Sequence, residues 1–259
     1  MLRTSSHLVV AGILSASLIA APMHDTDAQP STRWPIHSTD RPQPRIVKPP
    51  ANTWTVAPPG DATVLFGGTD LGLWKKEDGK PAGWKVENGY MEVVPGAGGI
   101  ATIDGFGDAQ LHVEWMAPRP AEGKGQDRGN SGVFLMGRYE VQVLDSYDNV
   151  TYPDGQAAAV YGQYPPLVNA SRPPGEWQSY DIVFRRPRFD AQGKVAEPAR
   201  LTVMHNGVLV QDNVALSGPS AHTRRPPYEK HEDRLPISLQ DHGTRVRYRN
   251  IWIRDLKRP

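Results

Sequence analysis

The chain contains no cysteine among its 259 residues. This absence excludes disulfide scaffolds, thiolate metal sites, cysteine nucleophiles and a lipobox anchor. It also lacks an excess of either charge, because 29 basic residues face 28 acidic ones and the basic residues are scattered. Nucleic acid and anionic membrane surfaces are therefore not predicted partners. No P-loop, dinucleotide fingerprint or Gly-x-Ser-x-Gly elbow occurs either.

The N-terminus has the composition of an export signal. Arg3 precedes an apolar run from Leu8 to Ala21, which is too short to span a bilayer as a stable helix. We predict a signal peptide over residues 1–28, cleaved near Ala21 or Ala28. The protein is then exported to the periplasm or beyond, without stable membrane insertion after cleavage. A retained N-terminal anchor is the alternative.

The remaining chain divides into a linker and one domain. Pro, Ser, Thr and Asp predict a disordered or polyproline-like linker over residues 29–60. From residue 61 to residue 259, short apolar segments alternate with turn residues, and no convincing amphipathic helix of more than two turns is found. This rhythm predicts an all-β sandwich or jelly roll. The predicted strands are 63–66, 84–87, 90–94, 99–103, 109–117, 132–136, 139–145, 177–185, 200–205, 208–215, 236–241 and 246–255.

Residues 129–147 predict a hairpin with polar groups on one face. An apolar strand leads into a Gly137-Arg138 turn, and in the returning strand Glu140 and Gln142 share one face. Three other strands carry polar residues at the same two-residue spacing, His112 with Glu114, Gln240 with His242, and Arg247 with Arg249 near the end of the chain. If these strands are neighbours, their polar faces form one concave, sugar-binding surface. Solvated sheet faces are the alternative.

Three long segments interrupt the strands, at residues 118–130, 146–176 and 217–235. Loops of this length in a compact domain are usually functional or disordered. The second carries several tyrosines, of which Tyr147 and Tyr161 are candidates for stacking on a sugar ring. The third carries two histidines.

A metal site has little support from spacing. The histidines do not have the spacing of zinc ligands. Asp145, Asp148 and Asp154 could hold a divalent cation such as calcium, but no EF-hand-like spacing is present and turn formation explains these residues better. No cofactor is therefore assigned, and the sequence does not indicate an oligomeric state.

Eight segments of the chain carry recognisable motifs: LFGGTDL (65–71) with Trp74, LHVEW (111–115), GNSGV (129–133), YEVQVLDS (139–146), PGEWQ (174–178), HNGV (205–208), LQDHG (239–243) and RNIWI (249–253). Together these segments resemble the 3-keto-disaccharide hydrolase domain family. The resemblance runs in order over about residues 61 to 257. It departs from the usual family pattern at Gly68-Thr69, where we expect no structural effect. It implies a concanavalin A-like jelly-roll β-sandwich of two antiparallel sheets, secreted or periplasmic, acting on sugars oxidised at C3.

A ketone at C3 acidifies the proton on C2 and places the glycosidic oxygen β to the carbonyl. Cleavage can then proceed by proton abstraction and elimination, with water adding afterwards. We predict Glu140 and His242 as the base and acid, and Arg249 or a bound cation as the enolate stabiliser, unless Arg249 is a structural partner of Glu114 or Asp241. The predicted substrate-binding residues are Asn130, Gln142, Tyr147, Tyr161, Gln240, Glu114 and Arg249.

Two alternative functions remain open at this point. A conventional glycoside hydrolase needs two carboxylates across the cleft, for which Glu140 and Glu114 are the candidates. In laminarinase-type relatives of this fold the acids lie two residues apart on one strand, and here that position is Gln142, which weighs against this alternative. A non-catalytic carbohydrate-binding module would also explain polar faces and tyrosines.

Overall fold

The computed structural model describes Met1, residues 34–51 and residues 56–257. The predicted signal peptide lies outside the described residues, apart from Met1. Two short 3₁₀ helices span Gly125–Asp127 and Pro153–Gly155. The strands, in chain order, are β1 Arg45–Ile46, β2 Thr63–Phe66, β3 Trp74–Lys76, β4 Lys85–Glu87, β5 Tyr90–Glu92, β6 Ile100–Phe106, β7 Ala109–Met116, β8 Ser131–Leu135, β9 Tyr139–Val143, β10 Val168–Asn169, β11 Gln178–Arg185, β12 Arg188–Phe189, β13 Val195–Glu197, β14 Arg200–His205, β15 Val208–Ala215, β16 Leu235–Leu239 and β17 Arg247–Asp255.

Two large antiparallel sheets form a concanavalin A-like jelly-roll sandwich, which confirms the predicted fold class. One sheet has five strands in the order β3-β6-β16-β8-β9. The other has eight strands in the order β15-β14-β11-β7-β17-β5-β4, and β2 pairs with the C-terminal half of β17. Every strand pair within these two sheets is antiparallel, as is usual where hairpins connect the strands.

The apolar face of each sheet is buried against the other. On β9 the alternating residues Tyr139, Val141 and Val143 are almost inaccessible to solvent, because successive side chains of a strand point to opposite faces. Large aromatic side chains fill much of the space between the sheets. The largest fully buried side chains include Trp115, Tyr139, Tyr180, Tyr248, Phe66, Phe184, Met91, Ile100, Leu111, Leu135 and Met136.

Both predicted Asn-Gly hairpins are present. Asn88 and Asn206 have φ of 48° and 53°, and the glycine after each also has positive φ, as a tight two-residue hairpin turn requires. The central hairpin differs from the prediction. Its turn is made by Met136 and Gly137, with φ of 56° and 63°, rather than by Gly137 and Arg138. The Arg138 N–H then donates to the Leu135 carbonyl, 3.1 Å away.

Part of the predicted linker lies against the domain. Residues 34–51 include β1, which pairs in parallel with β10. Arg172 donates to the carbonyls of Pro50 and Ala51. Composition alone predicted a loose segment. The contacts that hold it are made by isolated side chains and by backbone groups, which composition does not reveal. Within residues 34–51 and 56–257, no helix has the length and apolar character needed to cross a bilayer.

Candidate functional site

The solvent-facing side of the five-stranded sheet forms the floor of a cavity of about 230 Å³. Phe134 of β8 lies directly opposite Glu140 of β9. Gln240 follows β16, and its N–H donates to the Gly132 carbonyl, 3.1 Å away. The long loops supply the walls. The lining residues are Asn130, Phe134, Glu140, Gln142, Tyr161, Ser220, Ala221, His222, Gln240 and His242.

Glu140 is the only carboxylate among these lining residues. It is 6% exposed, and its carboxyl group has no hydrogen-bond or ion-pair partner among the described residues. Only its backbone is held, because the N–H donates to Ser220 Oγ at 3.0 Å. Burial without a partner disfavours the charged form and raises the pKa of Glu140 to about 8. Such a carboxyl group can exchange a proton near neutral pH.

Amide groups beside Glu140 have unused hydrogen-bonding capacity. Gln142 Nε2 donates to Gln126 Oε1 at 3.0 Å, whereas Gln142 Oε1 is buried without a partner. Gln240 Oε1 is likewise buried and unpaired. Asn130 is held through its Nδ2, which donates to the Gln126 carbonyl at 2.7 Å. Buried polar atoms are normally satisfied, so these two oxygens are acceptors that the described residues leave unused.

Tyr161 and His222 form one wall of the cavity. Their polar atoms, Tyr161 Oη and His222 Nδ1, are 2.9 Å apart, and Tyr161 Oη is also 2.8 Å from the hydroxyl of Tyr152. The Tyr161 N–H donates to the Glu140 carbonyl at 3.3 Å, which aligns this wall with β9. Burial, followed by the neighbouring Tyr152, raises the pKa of the Tyr161 hydroxyl well above its usual value. Tyr161 therefore stays neutral and can donate a hydrogen bond.

His222 is a functional candidate that residue patterns did not single out. Its loop, residues 217–235, was predicted to be functional or disordered, and nothing in the spacing distinguished His222 from His231. The structure separates them, because His222 lines the cavity while His231 contacts the hydroxyl of Tyr139. On another side of the cavity is His242, which is exposed. The turn before it is held by Asp241, whose carboxylate accepts the N–H groups of Gly98 and Gly243.

The structure brings together six of the predicted site residues. Asn130, Glu140, Gln142, Tyr161, Gln240 and His242 all line the cavity. Tyr147 does not line it. The Tyr147 side chain is 39% exposed, and its carbonyl accepts a hydrogen bond from Arg128.

The predicted contribution of His112, Glu114 and Arg249 to the same surface is wrong. β7 and β17 belong to the eight-stranded sheet, and these residues occupy its face that points away from the core. Arg249 lies directly opposite Glu114, and its Nε donates to Glu114 Oε2 at 2.6 Å. The alternative reading of Arg249 as a structural partner of Glu114 is therefore the one observed.

The cluster on the outer face is an ion network. His112 is fully buried, with Nδ1 2.7 Å from Asp181 Oδ1 and Nε2 3.6 Å from Glu114 Oε1. Burial opposes the charge on His112, yet the hydrogen bond to Asp181 and the nearby carboxylate of Glu114 raise its pKa to about 9. Burial also opposes the charge on Glu114, but the nearby His112 imidazole and hydrogen bonds accepted from Asn250 and Arg249 lower its pKa to about 2. The network stabilises the outer face of the eight-stranded sheet, away from the cavity.

The loop aspartates do not fit a calcium ion. Asp145 accepts from Arg128 Nε at 2.8 Å, and Asp154 accepts from the backbone N–H of His37 at 3.1 Å. Across the described part of the chain, no three His, Asp or Glu side chains converge on one point. Carboxylates already bound to cationic or N–H groups are poor calcium ligands.

A second, wider cavity of about 570 Å³ adjoins the first. Phe134 and Gln240 line both cavities, which therefore lie side by side on the five-stranded sheet. The lining of the wider cavity includes Lys76, Glu77 and Asp78. A ligand longer than one ring can therefore extend from the Glu140 pocket into a polar extension.

Comparison with known proteins identifies the family. Residues 61–254 match the model of the 3-keto-α-glucoside-1,2-lyase-like domain. The chain belongs to this family. The 3-keto-α-glucoside-1,2-lyase-like domain accounts for both large sheets apart from the last residue of β17, and the recognised resemblance is confirmed. No curated protein matched the chain.

Solved structures agree with the assignment to the 3-keto-α-glucoside-1,2-lyase-like family. A candidate glycosyl hydrolase from Parabacteroides distasonis is 42% identical, with a TM-score of 0.77, covering 83% of this chain and 93% of its own. A second candidate glycosyl hydrolase from the same organism is 22% identical, with a TM-score of 0.56, covering 76% and 94%. The second supports the fold alone. Together with the family model, the first identifies a carbohydrate-active domain of the glycosyl-hydrolase type.

Proposed function

We propose that this domain cleaves the glycosidic bond of 3-keto-glycosides, including 3-keto-disaccharides, by proton abstraction at C2 followed by elimination. The observation that carries the proposal is the state of Glu140, a buried, unpaired carboxyl group with a pKa of about 8 on the cavity floor. A base for carbon acids works best when its pKa is near the operating pH. Conventional glycosidases instead need two carboxylates across the bond, and Glu140 has no second carboxylate among the residues lining its pocket.

In the first step, the Glu140 carboxylate removes the C2 proton and becomes a carboxylic acid, while the electron pair moves onto the C3 oxygen. His222 is suited to stabilise this enolate. When its Nδ1 accepts the Tyr161 hydroxyl hydrogen, 2.9 Å away, its proton resides on Nε2 and can be donated to the C3 oxygen. His222 thereby takes the role that the sequence analysis gave to Arg249 or a bound cation.

In the second step, the enolate electrons return, a C1–C2 double bond forms and the bond from C1 to the glycosidic oxygen breaks. His242, exposed in the cavity lining, donates a proton to the leaving oxygen. Addition of water across the double bond returns a proton to C2 and gives the 3-keto sugar. Release before hydration gives the unsaturated product, so the same site supports a hydrolase or a lyase outcome.

The two unpaired amide oxygens account for substrate orientation. Gln142 Oε1 and Gln240 Oε1 can accept sugar hydroxyl groups beside Glu140. The adjoining cavity gives space for the leaving sugar or another aglycone. Positioning by these groups fixes which ring carbon faces the base.

The decisive experiment compares a 3-keto-glucoside with its non-oxidised parent. We expect aglycone release from the keto form alone, and a loss of at least about 10²-fold in Glu140→Gln and in His242→Ala. Glu122→Gln, at an exposed carboxylate outside the Glu140 pocket, is the control and should retain full activity. Equal rates on both substrates would indicate a conventional glycosidase, and binding without turnover would indicate a binding module. Either result would refute the proposal.

A further inference from the structure

A segment outside the family domain supports one wall of the candidate site. The family model begins at residue 61, whereas residues 34–51 lie against the Tyr161 side of the cavity. The segment is anchored at several points along its length. Gln43 Nε2 donates to the Thr151 carbonyl at 2.7 Å. Further along, β1 pairs with β10.

His37 is the residue of this segment that reaches the wall. Its ring centroid is 4.0 Å from that of Tyr152, 5.0 Å from that of Tyr161 and 5.1 Å from that of His222. The side chain is 14% exposed. His37 therefore touches all three members of the hydrogen-bonded series from Tyr152 through Tyr161 to His222.

A buried carboxylate fixes the orientation of His37. Asp154 is 1% exposed and contacts His37 twice, through the backbone N–H at 3.1 Å and through Nδ1 at 3.3 Å. Burial opposes the charge on Asp154, but these hydrogen bonds from His37 lower its pKa. His37 also has a φ of 59°, an unusual value for a residue with a side chain. The hydrogen bond from its backbone N–H to Asp154 holds His37 in this left-handed conformation.

Neither His37 nor Tyr152 lines the cavity, whereas Tyr161 and His222 do. Small displacements of groups that act on reacting atoms are costly, and such groups depend on a packed layer behind them. We propose that His37 is a positioning residue for the Tyr161–His222 pair, so that residues 34–51 complete a site that the family domain alone leaves unsupported. This inference rests on the proposed function of His222 as a donor to the C3 oxygen.

The test uses the complete chain and four variants. His37→Ala removes both ring and hydrogen bond. His37→Asn keeps a side-chain donor for Asp154 and tolerates positive φ, but has no ring. His37→Phe keeps the ring alone. Gln43→Ala is the matched control, because Gln43 anchors the same segment through Thr151 and Gln156 without touching the wall.

We expect kcat on a 3-keto-glucoside to fall about 10- to 100-fold in His37→Ala while KM changes little, because binding groups such as Gln240 are untouched. His37→Phe should recover more of kcat than His37→Asn if ring packing positions the wall. Gln43→Ala should keep the wild-type kcat. Wild-type kcat in all three His37 variants would overturn the inference, as would equal losses in His37→Ala and Gln43→Ala.

A second readout does not depend on turnover. In protein labelled with ¹⁵N-histidine, the His222 imidazole signals can be assigned from their absence in His222→Gln. They should shift in His37→Ala and stay unchanged in Gln43→Ala. If wild-type protein does not act on keto sugars, the proposed function fails, yet a shifted His222 signal would still establish the contact with His37. An unshifted signal would refute the positioning role whatever the activity.

Discussion

Gly132 lies beneath the carboxyl group of Glu140, so closely that a Cβ at this position would be 2.5 Å from Glu140 Oε1. The two residues belong to neighbouring strands, with Gly132 opposite Gln142 and therefore diagonal to Glu140. The absence of a side chain at residue 132 creates the space in which the carboxyl group is buried. Burial in turn raises its pKa to about 8.

Gly132→Ala should displace the Glu140 carboxyl group and inactivate the domain without unfolding it. A displacement of about 1 Å at a reacting group can cost about 10²-fold in rate. The measurement is kcat/KM on a 3-keto-glucoside, with circular dichroism to verify the fold. Gly60→Ala is the matched control, because a Cβ there has no heavy atom within 4 Å. Unchanged activity in Gly132→Ala would show that the carboxyl position is not critical.

Glu140→Gln should make the protein more stable than the wild type, by an amount that grows as pH rises. Glu140 has a pKa of about 8 in the fold against a reference value of 4.5, so the native state binds more protons than the unfolded state between these values. Stability of the wild type therefore falls as pH increases through this window. Glutamine carries no such proton, and the variant should gain up to a few kcal/mol relative to wild type by pH 8.5.

Thermal unfolding at pH 5 and at pH 8.5 measures this gain. The two proteins should melt at similar temperatures at pH 5, where Glu140 is protonated, and the variant should melt higher at pH 8.5. Glu122→Gln, at an exposed carboxylate, should show no such divergence. A variant that is less stable than wild type at pH 8.5 would mean that Glu140 has a stabilising partner.

Local patterns were sufficient to predict most of the strands, and six of the ten residues that line the Glu140 cavity were predicted site residues. All twelve predicted strands are present, because apolar alternation and Asn-Gly turns are local signals. The unpredicted strands have only two or three residues and pair through backbone, as in β1 with β10. Alternation also correctly placed Glu140 and Gln142 on one face of their strand, opposite the face that packs in the core.

The same reasoning failed where it had to assign strands to sheets. His112 and Glu114 alternate as cleanly as Glu140 and Gln142, but alternation gives the face of a strand and not the sheet that contains it. Only long-range pairing separates β7 from β9. His37 lay beyond prediction for a related reason, since its contacts with Asp154 span 117 residues of sequence.

Glu114→Gln should lower stability and leave catalysis intact. Removing one charge leaves the other buried members of the network without compensation, which typically costs about 3 kcal/mol or more. The pKa of Glu114, about 2, means that its contribution is present above pH 4.5 and is lost as pH falls toward 2. Chemical denaturation at pH 7 should show the loss, and kcat on the keto sugar should equal that of wild type. A large loss of kcat in a folded variant would mean that Glu114 does belong to the active site.

Tyr161→Phe and Tyr147→Ala should have different effects on activity, although both tyrosines were predicted to stack on the sugar. Tyr161 lines the cavity and its hydroxyl contacts both Tyr152 and His222, so its loss should leave the His222 tautomer unspecified and lower kcat about 10-fold or more. Tyr147 is exposed outside the cavity, so its truncation should change neither kcat nor KM. Steady-state kinetics on one 3-keto-glucoside decides both. A higher KM in Tyr147→Ala would mean that the bound substrate extends beyond the cavity and contacts Tyr147. Only a ligand longer than the cavity can stack on a tyrosine that lies outside it.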